Sequence, residues 1–152
     1  MTKRGRLILY ADGAARGNPG PAGAGAVLLD EEGIVVAELT LALGRATNNA
    51  AEYSALILGL EEAKRRGATA IDVCMDSLLV VEQMRGRWKI KHPGLKPLAL
   101  RAAELLASFP EREIRHVPRE QNLVADALSN RAIDEAVEGA LPLRPPPPDA
   151  SR

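Results

Sequence analysis

Four acidic residues, Asp12, Glu52, Asp76 and Asp126, fall where chemistry rather than solubility explains them best. Asp12 closes the apolar run Leu7-Ile8-Leu9-Tyr10-Ala11 and opens a glycine-rich stretch. Glu52 begins the apolar face of a long helical pattern, and Asp76 ends Ile71-Asp72-Val73-Cys74-Met75. Asp126 lies one turn into the last helical pattern. Carboxylates that converge repel one another unless a cation holds them, and a pair of divalent metal ions is the simplest such cation. Phosphoryl chemistry is therefore the leading expectation.

Three of these acids also have a structural explanation. Asn49 and Glu52 have the spacing of a capping box. Asp126 suits the first turn of a helix, where the macrodipole favours an anion. Asp76, with Ser77 behind it, can cap the helix that starts there. Asp12 resists such a reading, because an acid directly after a buried strand sits at the edge where α/β proteins gather ligands.

The elements that position these residues follow from periodicity and turn signals. Strands are expected over 6–14, 24–29 and 34–43, the last two joined by the polar turn Asp30-Glu31-Glu32-Gly33. A helix is expected over 49–66, with Ala55, Leu56, Gly59 and Ala63 on one stripe and Gly67 as its stop. A strand over 70–75, helices over 77–85 and 98–108, a strand over 113–117 and a closing helix over 122–139 complete the pattern. The order βββαβααβα predicts an α/β domain whose sheet mixes an antiparallel hairpin portion with parallel strands.

Composition sets the outer bounds. At 152 residues, 46% hydrophobic and 26% charged, the chain reads as one soluble domain with a core of its own. Residues 1–140 form that domain, and 141–152, with four consecutive prolines, read as a mobile tail. The tail is either a frayed terminus or a ligand for a proline-recognising domain. The apolar run after Lys3, Arg4 and Arg6 is too short for a signal peptide, and no stretch reaches membrane-spanning length. The single Cys74 lies inside an expected strand, which points to core packing in a reducing compartment and to a cytoplasmic protein. A formal net charge of zero argues against strong non-specific binding of nucleic acid. Charge is nevertheless uneven, because residues 83–103 hold Arg85, Arg87, Lys89, Lys91, Lys96 and Arg101 with no acid, around the only tryptophan, Trp88. That segment is either a solvated connection or a contact surface.

The surroundings of the acids narrow the choice. The segment Gly13-Ala14-Ala15-Arg16-Gly17-Asn18-Pro19-Gly20 is no Walker loop, since no Gly-Lys-Ser/Thr follows, yet its bared backbone can approach a sugar-phosphate closely. Thr47-Asn48-Asn49 supplies more amides than one helix cap requires. Taken together, Asp-Gly-Ala-Ala-Arg-Gly-Asn-Pro-Gly (12–20), Thr-Asn-Asn-Ala-Ala-Glu-Tyr (47–53), Met-Asp-Ser (75–77) and Asn-Leu-Val-Ala-Asp-Ala-Leu (122–128) resemble type 1 ribonuclease H. The resemblance spans about residues 6 to 138, and the four motifs occur in the family's order and spacing.

The resemblance implies a ribonuclease H-like fold with a five-stranded mixed sheet. It implies that Asp12, Glu52, Asp76 and Asp126 hold two Mg²⁺ ions, with Mn²⁺ as a substitute, roughly 3.5–4 Å apart. Asp12 would bridge both ions, Asp126 would serve the ion beside the attacking water, and Glu52 and Asp76 the ion at the leaving 3′ oxygen. The implied reaction is hydrolysis of the RNA strand of an RNA/DNA hybrid by a monomeric endoribonuclease, leaving 5′-phosphate and 3′-hydroxyl ends. RNA differs from DNA by its 2′-hydroxyls, and Gly13, Arg16, Asn18, Asn48 and Asn49 resemble the family's minor-groove reader. Arg45 and Thr47 resemble residues that grip a phosphate of the DNA strand, and Trp88 and Lys89 either meet the nucleic-acid backbone or anchor their loop.

Two departures from the family pattern stand out. The loop histidine of many members is missing from Pro118-Arg119-Glu120-Gln121, so Arg119 or Glu120 is expected to fill part of its role in turnover, with His116 structural. The basic segment is modest, which predicts weak, salt-sensitive binding. Other classes remain open: a non-catalytic hybrid or duplex-RNA binder, a domain that acts only with a larger nucleic-acid enzyme, and a related nuclease acting on DNA.

Overall fold

The computed structural model describes residues 5–140, and the proline-rich segment 141–152 and residues 1–4 lie outside the described residues. The chain runs through β1 (Arg6–Ala15), β2 (Gly20–Leu29), β3 (Val35–Ala46), α1 (Asn48–Arg65), β4 (Ala70–Met75), α2 (Leu78–Met84), α3 (Lys96–Ala107), β5 (Glu111–His116) and α4 (Leu123–Ala140), with a 3₁₀ turn at Arg119–Gln121. Its five strands form one sheet in the order β3-β2-β1-β4-β5. The meander β1-β2-β3 is antiparallel, while β4 and β5 add in parallel beside β1. The expected mixed five-stranded architecture is the one observed.

Side-chain alternation along β1 divides the molecule into two layers. Leu7, Leu9 and Ala11 join Ala24, Ala26 and Leu28 of β2 in a core closed by Tyr53, Leu56 and Leu60 of α1 and Leu105 of α3. The opposite set points toward α4, which packs over β1, β2 and β3. Ala125, Leu128, Ser129, Ala132 and Ile133 are buried on that helix.

Pairing overrode local propensity at several element ends. β2 starts at Gly20 rather than at 24, because Gly20 and Pro21 pair with Ala46 and Arg45 of the lengthened β3. The glycine-rich stretch is thus largely strand. α3 starts at Lys96, with Pro97 inside its first turn, where a missing N–H breaks no helical bond. β5 starts at the charged Glu111, as an edge strand paired only with β4 can.

Two glycines set how closely the helices approach the sheet. A Cβ on Gly13 would collide with the backbone of Ala51 and Glu52 in the first turn of α1. A Cβ on Gly25 would lie 2.5 Å from the Ala125 carbonyl oxygen and 2.5 Å from the Ser129 nitrogen of α4. Gly25 is the register partner of Asp12, so this close approach brings the start of α4 over that acid. Gly25→Ala should destabilise the fold by about 1–3 kcal/mol, the usual cost of overpacking. Urea denaturation with and without the substitution measures this, and an unchanged midpoint would show that α4 is free to move outward.

Candidate active site

The carboxylates meet beside the C-terminal half of β1 because β4 ends there and α1 and α4 begin there. Asp12 lies within β1, Asp76 directly follows β4, Glu52 stands in the first turns of α1, and Asp126 in the first turn of α4. Parallel pairing of Ala11 with Met75 brings the first two side by side. One oxygen from each of Asp12, Glu52 and Asp76 lies within 4.8 Å of the other two. Asp126 joins through Asp12, its carboxyl within hydrogen-bonding reach of the Asp12 carboxyl.

Capping does not account for these acids. Thr47, not Asn49, caps α1, its hydroxyl accepting from Ala50 N at 3.2 Å. Glu52 instead turns toward the sheet, where its Oε1 accepts from Gly13 N at 2.9 Å. Ser77, not Asp76, caps α2, accepting from Val80 N at 3.3 Å. Asp76 is held by Asn122, whose Nδ2 donates both to Asp76 Oδ1 at 3.2 Å and to the Ala11 carbonyl at 2.9 Å. Asp126 does occupy the first turn of α4, and Asn130 Nδ2 donates to its backbone carbonyl at 3.0 Å.

The electrostatics are those of a site built for a cation. Among the described residues, none of the ion pairs involves Asp12, Glu52, Asp76 or Asp126. Burial pushes the Asp12 carboxyl up to about 10, helped by the charge of Glu52, by the hydrogen bond with Asp126 and by Asp76. Burial likewise pushes Glu52 up to about 7 against the opposing Gly13 N–H. Asn122 is buried, and its Oδ1 has no partner among the described residues. Several hard oxygen donors with excess negative charge and no cationic side chain among them suit a hard divalent ion such as Mg²⁺ or Mn²⁺.

The residues expected to meet nucleic acid are distributed around this point. Asn18 and Asn48 are exposed and tie the loop to α1: Asn48 Oδ1 accepts from Ala15 N at 2.9 Å, and Asn18 Oδ1 accepts from Asn48 N at 3.1 Å. Asn49, Trp88 and Lys89 line one open groove of about 580 Å³. Arg45 is exposed beside Pro19, whose carbonyl accepts from its Nη2 at 3.5 Å. Arg16 turns toward α4, pairing with Asp134 at 2.7 Å. Arg119 and Glu120 are exposed in the 3₁₀ turn, and His116 is exposed at the end of β5. The site role of Asn122 was not legible in the sequence. An asparagine just before a helix reads as a cap, whereas its amide bridges two elements that only the fold brings together.

Comparison with known proteins agrees with this geometry. Residues 10–132 match the family model described as reverse transcriptase-like. The Ribonuclease HI of Halobacterium salinarum is 50% identical over 132 residues, 87% of this chain and 66% of that protein. Its crystal structure superposes with a TM-score of 0.84, covering 86% of this chain and 99% of that one. The chain belongs to the type 1 ribonuclease H family. A bifunctional protein of Mycobacterium tuberculosis is 51% identical over 136 residues, 89% of this chain. This ribonuclease H domain spans 37% of the length of that mycobacterial protein. LC11-RNase H1, solved in complex with an RNA/DNA hybrid, is 44% identical with a TM-score of 0.82, covering 86% of this chain and 99% of that one.

A raised carboxylate makes metal-free stability depend on pH with a definite sign. Between the ordinary carboxylate range and about 7 for Glu52, and on to about 10 for Asp12, the folded protein binds more protons than the unfolded chain. Stability in chelator should therefore fall as pH rises through that window. Asp12→Asn should stabilise the chelated protein at pH 7 by at least ~1.4 kcal/mol, the energy of one tenfold change in a protonation equilibrium. Mg²⁺ should raise the melting temperature more at pH 8 than at pH 5.5, because metal competes with protons for these oxygens. Thermal melts across pH, with and without metal, check all three; stability that rises with pH in chelator would show the acids to be uncrowded.

Proposed function

We propose that the chain is an endoribonuclease that hydrolyses the RNA strand of RNA/DNA hybrids, leaving 5′-phosphate and 3′-hydroxyl ends. The observation that carries this reading is the convergence of Asp12, Glu52 and Asp76 within 4.8 Å, beside Asn48 and Asn49 at the start of α1. Asp12, Glu52, Asp76 and Asp126 would hold two Mg²⁺ ions, with Mn²⁺ as a substitute. When bound, such a pair stabilises both the attacking and the leaving oxygen of an in-line displacement.

The chain's own residues supply orientation. Gly13 N–H fixes the Glu52 carboxylate, and the Asn122 amide fixes Asp76 against β1, so neither acid has to be ordered when substrate arrives. The crowded negative charge that destabilises the metal-free protein becomes favourable once cations are present. Asn48 and Asn49, with the Gly13 to Asn18 segment, flank the acids and suit the reading of 2′-hydroxyls in a minor groove. Arg45, exposed beside Pro19, and Thr47, at the start of α1, would grip a phosphate of the DNA strand. The exposed Trp88 and Lys89 extend the contact along the groove. Such contacts read sugar and shape, so little sequence preference is expected.

Arg119 or Glu120 would fill part of the turnover role that a loop histidine has in relatives, as exposed side chains in the turn leading to Asn122. A monomeric state and a cytoplasmic location belong to the same proposal; the buried free thiol of Cys74 suits a reducing compartment. Among the described residues no helix is long and apolar enough to cross a membrane.

The test is cleavage of an end-labelled RNA/DNA hybrid, beside duplex RNA and duplex DNA, with Mg²⁺ or Mn²⁺. The RNA strand of the hybrid should be cut, and Asp12→Asn should lower kcat by about 10²–10³-fold, the scale expected when an electrostatic centre is disabled. Binding of the hybrid without cleavage would move the answer to a binding module or a partner-dependent enzyme. His116→Ala should keep most of the turnover, and loss of most of it would remove Arg119 and Glu120 from that role. Raising salt from 50 to 200 mM should weaken hybrid binding by about tenfold or more, given several phosphate contacts.

A further inference from the structure

The basic segment between α2 and α3 carries no regular secondary structure from Arg85 to Leu95, yet its backbone is tied down at a few named atoms. Arg87 N and Trp88 N both donate to the Glu82 carbonyl, at 2.9 and 3.2 Å. The Glu82 carboxylate pairs with Arg87 at 3.6 Å and with Arg85 at 4.0 Å. One residue further along α2, Gln83 is buried although it is polar, with 7% of its surface exposed. Its side chain has a partner at each end. Its Oε1 accepts from the fully buried Tyr53 hydroxyl at 2.6 Å, and its Nε2 donates to the Lys89 carbonyl at 3.2 Å.

Tyr53 is the residue after Glu52 on α1, so this buried relay joins the catalytic helix to the backbone that carries Trp88 and Lys89. The side chains beyond it are exposed, and Gln83 forms part of the wall of the groove that Asn49, Trp88 and Lys89 line. Burial of two polar side chains is costly unless each is satisfied, and a core of apolar residues would pack α1 against α2 as well. A purely structural contact has no need to end on a carbonyl in an exposed loop.

We infer that Tyr53 and Gln83 are positioning residues for substrate: they hold the Trp88–Lys89 backbone at a set distance from the carboxylates, so that the exposed side chains meet the nucleic acid already ordered. The inference rests on the reading of hybrid hydrolysis above. Its energetic logic is pre-organisation, in which a loop that is ordered before binding loses less entropy on binding. The effect falls on association with substrate and not on the chemical step, because neither side chain reaches the reacting atoms.

Tyr53→Phe, which removes one oxygen, and Gln83→Met, which keeps the volume and removes both hydrogen bonds, test this. Steady-state cleavage of an RNA/DNA hybrid should show KM raised about three- to tenfold with kcat within about twofold, the change expected from losing one or two net hydrogen bonds. In an Asp12→Asn background without divalent metal, the hybrid Kd by fluorescence anisotropy should rise by a similar factor. In a Lys89→Ala background, Gln83→Met should raise KM by less than it does in the parent, because residues acting through one another are not additive. An unchanged KM and Kd, a fall in kcat alone, or full additivity with Lys89→Ala would each overturn the inference. If Gln83→Met fails to fold by circular dichroism, Tyr53→Phe decides. If the parent chain does not cut the hybrid, the hydrolytic reading falls, while the Kd comparison still decides the positioning role.

Discussion

The structure is organised around a buried cluster of carboxylates that no cationic side chain among the described residues pairs with. Oxygens of Asp12, Glu52 and Asp76 lie within 4.8 Å of one another, and Asp126 adds to the pressure on Asp12. Without a cation such a cluster would spread if its members were free to move. It does not, because each is held from behind by a neutral donor or by the backbone that carries it: Gly13 N–H on Glu52, the Asn122 amide on Asp76, and the centre of the sheet for Asp12. Neutral donors orient the acids without cancelling the charge that draws a metal. An arginine in the same place would have stabilised the fold and competed with the ion.

Close packing delivers these groups to one point. β1 lies at the middle of the sheet, with antiparallel and parallel neighbours, so Asp12 sits just past the last pair with β4, Ala11–Met75, while its pairing with β2 runs on to Ala15. The first turn of α1 approaches on one face because Gly13 has no side chain, and α4 approaches on the other because Gly25 has none. Alanine-rich positions nearby, Ala11, Ala24, Ala26, Ala51 and Ala125, continue the same economy of volume. Aromatic residues make up only 3% of the chain, and the fold compensates with short side chains and tight spacing rather than with large core groups.

Around this centre the surface segments are held by ties at a few atoms. Asn18 and Asn48 each satisfy a backbone N–H of the neighbouring segment, and Gln83 carries a buried contact outward to the Lys89 carbonyl. Arg16, expected at the substrate surface, is paired with Asp134 of α4. An exposed pair of this kind is worth little and is readily exchanged for another anion. The proposed division of labour follows: stiff backbone and amide contacts at the carboxylates, and exposed, replaceable contacts where a long polyanion would lie.

By itself the sequence determined the element order and the mixed sheet, because these are written in local periodicity, and it singled out four acids at strand ends and helix starts while leaving three of them a structural explanation. Composition also identified Cys74 as a core residue, and it is buried without a disulfide. Only the tertiary structure decided which explanation of each acid holds. Glu52 is three residues from Asn49 in any helix, and only docking of α1 on β1 shows that it accepts from Gly13 while Thr47 supplies the cap. The extension of β2 into a glycine-rich stretch, the tie from Asn122 to both Ala11 and Asp76, and the Tyr53–Gln83–Lys89 relay were equally hidden. Each includes a contact between partners 30 or more residues apart, or rests on strand pairing, and the free energy that selects such contacts resides in neither partner alone.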